Sequence, residues 1–69
     1  MYDNFINNVR KIMNNNSLSL IAFAEKIGFT QPSVSKWLSG SIKPSVDAVM
    51  SICNEFDVSA DWLLFGKEV

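Results

Sequence analysis

Only three residues, Gly28-Phe29-Thr30, connect the second and third helical segments of this sequence. Two helices joined by so short a link cannot lie side by side as an antiparallel pair, so they must cross steeply. Gly28 suits the positive φ of a helix C-cap, and Thr30 is a typical N-cap residue. A close crossing also needs a small side chain, and Ala24 stands four residues before the turn glycine. Val34 is the expected partner on the third helix.

Apolar residues recur at helical spacing along the chain, and no stretch shows the alternation of a strand. The first stripe predicts a helix over about residues 4–15, with Asp3 as its N-cap. The later helices are predicted to start at hydroxyl residues: Ser19, Thr30, Ser45 and Ser59. They are predicted to end at residues that tolerate a left-handed conformation: Gly28, Gly40, Asp57 and Gly66. The sequence therefore predicts a compact all-α domain of five short helices over residues 1–69, because so short a chain holds one core.

The fourth predicted helix has an apolar stripe with intervals of three and four: Val46, Val49, Met50, Cys53 and Phe56. We expect this stripe to face the core, with Cys53 as a buried, unreactive thiol. Trp37 and Trp62 are also expected in the core. The last helix has four consecutive apolar residues, 62–65, which together cover all its sides. One of the four must then be covered either by the chain end or by a second subunit.

The composition excludes several classes of function. The chain has no His and one Cys, and its seven carboxylates are scattered, so it offers neither a metal-ligand set nor a nucleophile with a base. It has no apolar run near the ~20 residues of a membrane span and no secretory signal pattern. We therefore expect a cytoplasmic, non-enzymatic protein with no metal, no cofactor, no small-molecule ligand and no membrane contact.

Charge is unevenly distributed, although the formal net charge is only −1. Residues 1–46 carry five basic and two acidic side chains (5 − 2 = +3), and residues 47–69 carry one and five (1 − 5 = −4). No acid occurs from Phe29 to Val46. A surface that faces phosphate needs a positive local potential rather than a positive total. Chance clustering of a few charges is an equal alternative, so charge alone does not decide.

The outward side of the third predicted helix is short, polar and nearly uncharged. Its members are Gln31, Pro32, Ser33, Ser35, Lys36 and Ser39. A face built only for solubility usually carries Glu and Lys instead. A Gln near a helix start can pair with adenine N6 and N7, and a Lys can reach guanine or phosphate. The face therefore favours contact with DNA.

These positions form a longer pattern, Leu18-Ser19-x-x-x-Phe23-Ala24-x-x-Ile27-Gly28-x-Thr30-Gln31-x-x-Val34-Ser35-Lys36-Trp37-x-x-Gly40. The pattern resembles the Cro/lambda-repressor-like (XRE-type) helix-turn-helix, with the motif over about residues 20–39. The later run from Pro44-Ser45 to Phe65-Gly66 is similar to the last two helices of the same domain. The resemblance covers about residues 5–66 and implies a five-helix, lambda-repressor-like DNA-binding domain.

The resemblance implies a sequence-specific double-stranded DNA-binding transcriptional regulator, with repression as the expected role, bound to its operator as a homodimer. By matching positions, it assigns base contacts to Gln31, Pro32, Ser33 and Lys36. It assigns phosphate contacts to Ser19, Ser35, Ser41, Lys43 and Val46, partly through N–H groups at helix starts. It assigns contacts with a second subunit to Val58, Leu63 and Phe65. The alternative is a protein-interaction module, such as an antitoxin-type helix-turn-helix protein.

The sequence departs from the family pattern in three places. Leu20 stands where a phosphate-contacting Gln is common, and Ile21 follows it. We expect this apolar edge to pack on the first helix, with a thymine methyl, another subunit or a partner protein as alternatives. Pro32 offers only apolar contact where a residue that hydrogen-bonds a base is common. Met13 and Leu38 replace a buried ion pair, and we expect their side chains to touch.

Overall fold

The computed structural model describes residues 3–67. In that range the chain forms five α-helices and no strand. The helices are α1 Asp3–Asn15, α2 Leu20–Ile27, α3 Gln31–Ser39, α4 Val46–Phe56 and α5 Ala60–Phe65. The predicted all-α architecture is therefore confirmed. Among the described residues, no helix combines the length and the apolar character needed to cross a bilayer.

Four helices start at a hydroxyl cap, as predicted. The Oγ atoms of Ser19, Ser45 and Ser59 accept the backbone N–H three residues on at 3.0–3.1 Å, and Thr30 Oγ1 does so at 3.4 Å. Each cap satisfies one of the donors that a helix start leaves without an intrahelical acceptor. The predicted cap of α1 was wrong, because Asp3 is itself the first helical residue. Its carboxylate lies in the first turn, where the helix dipole favours a negative charge.

The left-handed C-caps predicted for the last four helices are all present, at Gly28, Gly40, Asp57 and Gly66. Asp57 adopts φ 54° and ψ 48°, and its N–H donates to the Cys53 carbonyl. This conformation costs an L residue about 1–2 kcal/mol, which glycine does not lose. The end of α4 is therefore correctly predicted and locally strained.

The core lies between all five helices and is apolar. Its buried members are Phe5, Val9, Ile12, Phe23, Ala24, Ile27, Val34, Trp37, Ala48, Ile52 and Leu63. The Trp37 ring is contacted edge-on by Phe5 and Phe29, with centroids 6.4 and 5.3 Å away. Phe23 stacks on Phe56 with centroids 5.4 Å apart. Trp37 is thus a core residue, as predicted.

The buried face of α4 is not the predicted one. Ala48 and Ile52 are fully buried, whereas Val46 and Met50 are 73% and 56% exposed. Successive helical positions lie about 100° apart, so the true face is rotated by about one position from the predicted stripe. The rest of that stripe is half-buried at the edge of the core: Val49, Cys53 and Phe56. Burial raises the pKa of the Cys53 thiol, which keeps the thiol protonated and unreactive at neutral pH.

One polar side chain joins α1 to α5. Asn8 is buried, and its Nδ2 donates to the Trp62 carbonyl at 2.7 Å and to the Leu63 carbonyl at 3.5 Å. The docking of α5 on α1 turns Leu63 into the core, where it is 0% exposed. The assignment of Leu63 to a contact with a second subunit was therefore wrong, because its side chain is already covered. Trp62 and Val58 are half-buried, and Phe65 is 62% exposed.

Candidate nucleic-acid interface

The α2–α3 turn has the left-handed glycine and the buried contact residues that the sequence predicts. Gly28 is left-handed with φ 79°, and the Phe29 N–H donates to the Ala24 carbonyl at 2.9 Å. The Phe29 ring packs against Trp37, which anchors the turn on the inner face of α3. Ala24 and Val34, the residues predicted at the crossing, are 1% and 0% exposed. The two helices therefore form a helix-turn-helix whose inner faces are fixed by the core.

The outer face of α3 is open to solvent. Five of the six residues predicted there are exposed: Gln31, Pro32, Ser35, Lys36 and Ser39. The sixth, Ser33, is half-buried, and its Oγ accepts the Thr30 hydroxyl proton at 3.0 Å. The Ser33 hydroxyl keeps its own proton for another acceptor. The structure thus supplies an exposed row of hydrogen-bonding groups on a rigid helix.

The starts of α2 and α4 present backbone donors to solvent. The Oγ atoms of Ser19 and Ser45 each accept only the third N–H of the helix they cap, that of Ala22 and Ala48. The first two N–H groups of each helix have no intrahelical acceptor, and they lie at the positive end of the helix dipole. Val46 is the first residue of α4. Ser19 and Val46, two of the predicted phosphate-contact positions, therefore lie where an anion is favoured.

The connector after α3, residues 40–45, is bonded back onto that helix. The Ser41 N–H donates to the Lys36 carbonyl at 3.0 Å. The Ser39 hydroxyl donates to the same carbonyl at 3.0 Å and lies 2.9 Å from the Ser41 hydroxyl. Lys43 is exposed two residues further along. One predicted base contact, Lys36, and one predicted connector contact, Ser41, are thus joined by hydrogen bonds that could not be predicted from the sequence.

The two basic residues predicted to contact DNA are exposed. Lys36 on α3 and Lys43 on the connector are both exposed. No acid occurs between them or within the turn that precedes α3. The first acid after the connector is Asp47, exposed in the first turn of α4. The chain therefore carries no acid from the turn before α3 to the start of α4, which favours a phosphate-facing surface there.

Sequence analysis also missed an apolar groove between α4 and α5. Its volume is about 370 Å³, and it is lined by Pro44, Val46, Val49, Met50, Ala60 and Leu64. Phe65 follows Leu64 and is 62% exposed. The groove was not predicted because Val46 and Met50 were assigned to the core.

The described residues contain no group of three His, Cys, Asp or Glu that could hold a metal ion.

The departures from the family pattern have separate outcomes. Leu20 is half-buried against the core, and its neighbour Ile21 is 54% exposed. The packing of this edge on α1 stays a prediction. Pro32 is exposed on α3 and offers an apolar surface there. Met13 and Leu38 are both half-buried on the core, and their mutual contact stays a prediction.

Comparison with known proteins agrees with this geometry. The family model described as Helix-turn-helix matches residues 9–63, which include α2, α3 and the connector. The curated relative "Uncharacterized HTH-type transcriptional regulator YqaE" of Bacillus subtilis (strain 168) is 33% identical over 63 residues, covering 91% of this chain. The chain spans about half of that relative's length, 54%. No solved structure matches the chain. Matched over most of its length, and with the crossing and exposed third helix in place, the chain belongs to the helix-turn-helix family, of the Cro/lambda-repressor-like type.

Proposed function

We propose that this chain is a sequence-specific double-stranded DNA-binding transcriptional regulator. The observation that carries the proposal is the exposed, polar and acid-free outer face of α3. An α-helix with its side chains is about 10–12 Å in diameter, so α3 fits a major groove about 12 Å wide. Family membership and the relative's name support a regulator. Repression is the simpler outcome, because a domain in the groove blocks other proteins from the same DNA.

In this proposal α3 enters the major groove and contacts base edges with four residues. Gln31, the first residue of α3, pairs bidentately with an adenine, and Lys36 reaches guanine or a phosphate. Pro32 packs on a thymine methyl, since it has no N–H to donate. Ser33 donates its remaining hydroxyl proton to a base acceptor. These four side chains together determine which operator sequence is preferred.

Phosphates on either side of the groove are held by backbone and side-chain donors. The free N–H groups at the starts of α2 and α4, next to Ser19 and at Val46, bind one phosphate each. Ser35 on α3 and Lys43 in the connector contribute side-chain contacts. Each neutralised phosphate releases counterions, so the affinity falls as salt is raised.

We propose further that two copies bind as a homodimer, on half-sites about one helical turn (~34 Å) apart. A two-fold interface needs a surface that is complementary to itself. The apolar groove between α4 and α5 and the exposed Phe65 ring on α5 are the surfaces that we propose for it. The half-buried Val58 is a further candidate contact. Leu63 has no place in this interface.

Selection from random duplex sequences at two salt concentrations tests the proposal. We expect one near-palindromic site to be enriched, with an affinity that falls steeply as salt increases. Lys36→Ala should weaken binding to that site, and Gln31→Ala should lose about 1–3 kcal/mol of discrimination at one base pair. Lys67→Ala, which removes the same charge beyond α5, is the control and should bind normally. Equal weakening of all sequences by Gln31→Ala would contradict its role in base contact.

The competing proposal is a protein-interaction module of the antitoxin type. The exposed apolar groove and Ile21 favour it, because a partner protein would cover both. It predicts DNA affinity that is indifferent to sequence and salt, together with a protein that co-purifies with the chain. The same selection experiment therefore separates the two proposals.

A further inference from the structure

Several donors converge on one carbonyl oxygen at the end of α3, that of Lys36. The backbone donors are the N–H groups of Gly40, Ser41 and Ile42, the last two at 3.0 and 3.4 Å. The Ser39 hydroxyl is a further donor, at 3.0 Å. Lys36 therefore has two roles: its side chain lies on the proposed DNA-contacting face of α3, and its carbonyl holds the connector that follows.

The hydroxyls of Ser39 and Ser41 each have one proton to donate. Ser39 can donate its proton to the Lys36 carbonyl. Either hydroxyl can be the donor in the 2.9 Å contact between them, and when the Ser39 proton is on the Lys36 carbonyl the donor is Ser41. The Ser41 N–H is directed at the Lys36 carbonyl and at Ser39 Oγ, at 3.0 and 3.4 Å. In that arrangement both donors of Ser41 are used on α3, whereas a phosphate oxygen would need one of them.

We propose that Ser39 and Ser41 are positioning residues for DNA binding rather than DNA ligands. They hold the connector onto α3, and so set where Lys43 and the Val46 N–H meet phosphates relative to the bases that α3 contacts. The inference rests on the proposed function, and it replaces the phosphate contact that the family resemblance assigned to Ser41. Both serines are exposed, so loss of either hydroxyl leaves the core unchanged. Loss of this positioning should lower DNA affinity measurably, because binding contacts depend on placement within about 0.5 Å.

A double-mutant cycle tests the proposal. Binding of Ser39→Ala, Ser41→Ala and the double variant to the selected operator is measured at several salt concentrations. Each single variant should bind about 3- to 10-fold more weakly, the effect of one ordinary hydrogen bond. The double variant should be no weaker than the weaker single variant, because all three break the same unit. The salt dependence should fall by about one phosphate contact, and Ser39→Thr, which keeps the hydroxyl, should restore binding.

Ser59→Ala is the matched control. It removes a hydroxyl that accepts the Trp62 N–H at 3.0 Å. Ser59 follows the C-terminal end of the 11-residue α4, about 16 Å along the helix from the Val46 N–H that we propose binds a phosphate. The variant should leave affinity for a single half-site unchanged, because the proposed contacts of α5 with a second copy play no part there. A loss confined to Ser41→Ala, or additive losses in the double variant, would show that Ser41 is a direct ligand and overturn the proposal. A loss of discrimination at one base pair would make Ser39 a base contact instead, with the same consequence.

Two further readouts separate failure of this inference from failure of the proposed function. A wild-type chain that selects no site overturns both. A wild-type chain that selects a site, with Ser39→Ala binding it equally well, overturns the positioning role alone. Without DNA, hydrogen exchange of the Ser41 amide should become faster in Ser39→Ala, while the thermal midpoint stays unchanged. Unchanged exchange, or binding lost together with the fold, also counts against the positioning role.

Discussion

At the scale of single residues, Asp47 is the first acid after the acid-free stretch from Phe29 to Val46. It is the second residue of α4 and follows Val46, whose N–H we propose as a phosphate ligand. The exposed carboxylate interacts favourably with the positive end of the α4 dipole. It also lowers the potential that an approaching phosphate would meet. Asp47 therefore stabilises the free chain while limiting its affinity for DNA.

We predict that Asp47→Asn binds the operator about 3- to 10-fold more tightly at low salt, with a difference that shrinks as salt screens the charge. The same variant should lose about 0.3–1 kcal/mol of unfolding free energy, since a favourable dipole contact is gone. Titration of fluorescent duplex at two salt concentrations measures the first effect, and urea unfolding the second.

Asp61→Asn is the control for this prediction. Asp61 is the second residue of α5, so the change in charge and the position in the helix are the same. It should alter stability in the same way and leave DNA affinity almost unchanged. Equal tightening by both variants would mean that net charge, and not the start of α4, governs the effect.

At the scale of helices, one buried amide hydrogen-bonds α1 to α5. Asn8→Ala removes the donor to the Trp62 carbonyl and leaves that acceptor without its 2.7 Å bond. We expect a loss of about 1–3 kcal/mol in unfolding free energy. Asn7→Ala, on the exposed side of the same helix, changes the same residue type without burial and should cost far less. Urea unfolding of both variants makes the comparison, and similar losses would show that helix propensity dominates.

The end of α4 offers a stabilising substitution. Asp57 is left-handed at φ 54°, a conformation that glycine adopts without strain. Asp57→Gly should raise the unfolding free energy by about 0.5–1 kcal/mol. Asp57→Ala removes the same carboxylate without relieving the backbone and should not stabilise. A thermal midpoint raised equally by both variants would assign the gain to charge.

The α4 helix also shows how far the sequence alone predicts this fold. Helix ends were predicted well, because caps and left-handed residues act locally and need no tertiary information. The buried face of α4 was not, since Ala48 is a weak apolar signal and the stripe through Val46 and Met50 is stronger. The spacing of apolar residues shows that a helix has a buried face. Which of two adjacent faces is buried depends on packing against the neighbouring helices.

The candidate site was partly predictable for the same reason. Exposure of the outer face of α3 follows from the short turn and from the burial of Val34 and Trp37 opposite it. The serine contacts between α3 and the connector do not follow, because they depend on where the chain returns after Gly40. Nor does the burial of Leu63, since four consecutive apolar residues give no preference for one side of α5.

The dimensions of the whole molecule limit how two copies can meet on DNA. The described chain measures 29 × 24 × 20 Å. Its longest axis is shorter than the ~34 Å between half-sites, so two copies touch at one edge at most. Such an interface is small, and small interfaces give weak association in solution. We therefore expect the DNA itself to bring the two copies together.

This limit leads to a prediction about cooperativity. Phe65→Ser removes an apolar ring of α5 that is 62% exposed. Affinity for a complete two-half-site operator should fall about tenfold or more, because an apolar contact between the copies is lost. Affinity for a single half-site should not change, and Phe65→Leu should keep most of the cooperativity. Gel-shift titrations with duplexes of both kinds distinguish these effects, and a parallel fall in half-site binding would place Phe65 in the fold of the monomer instead.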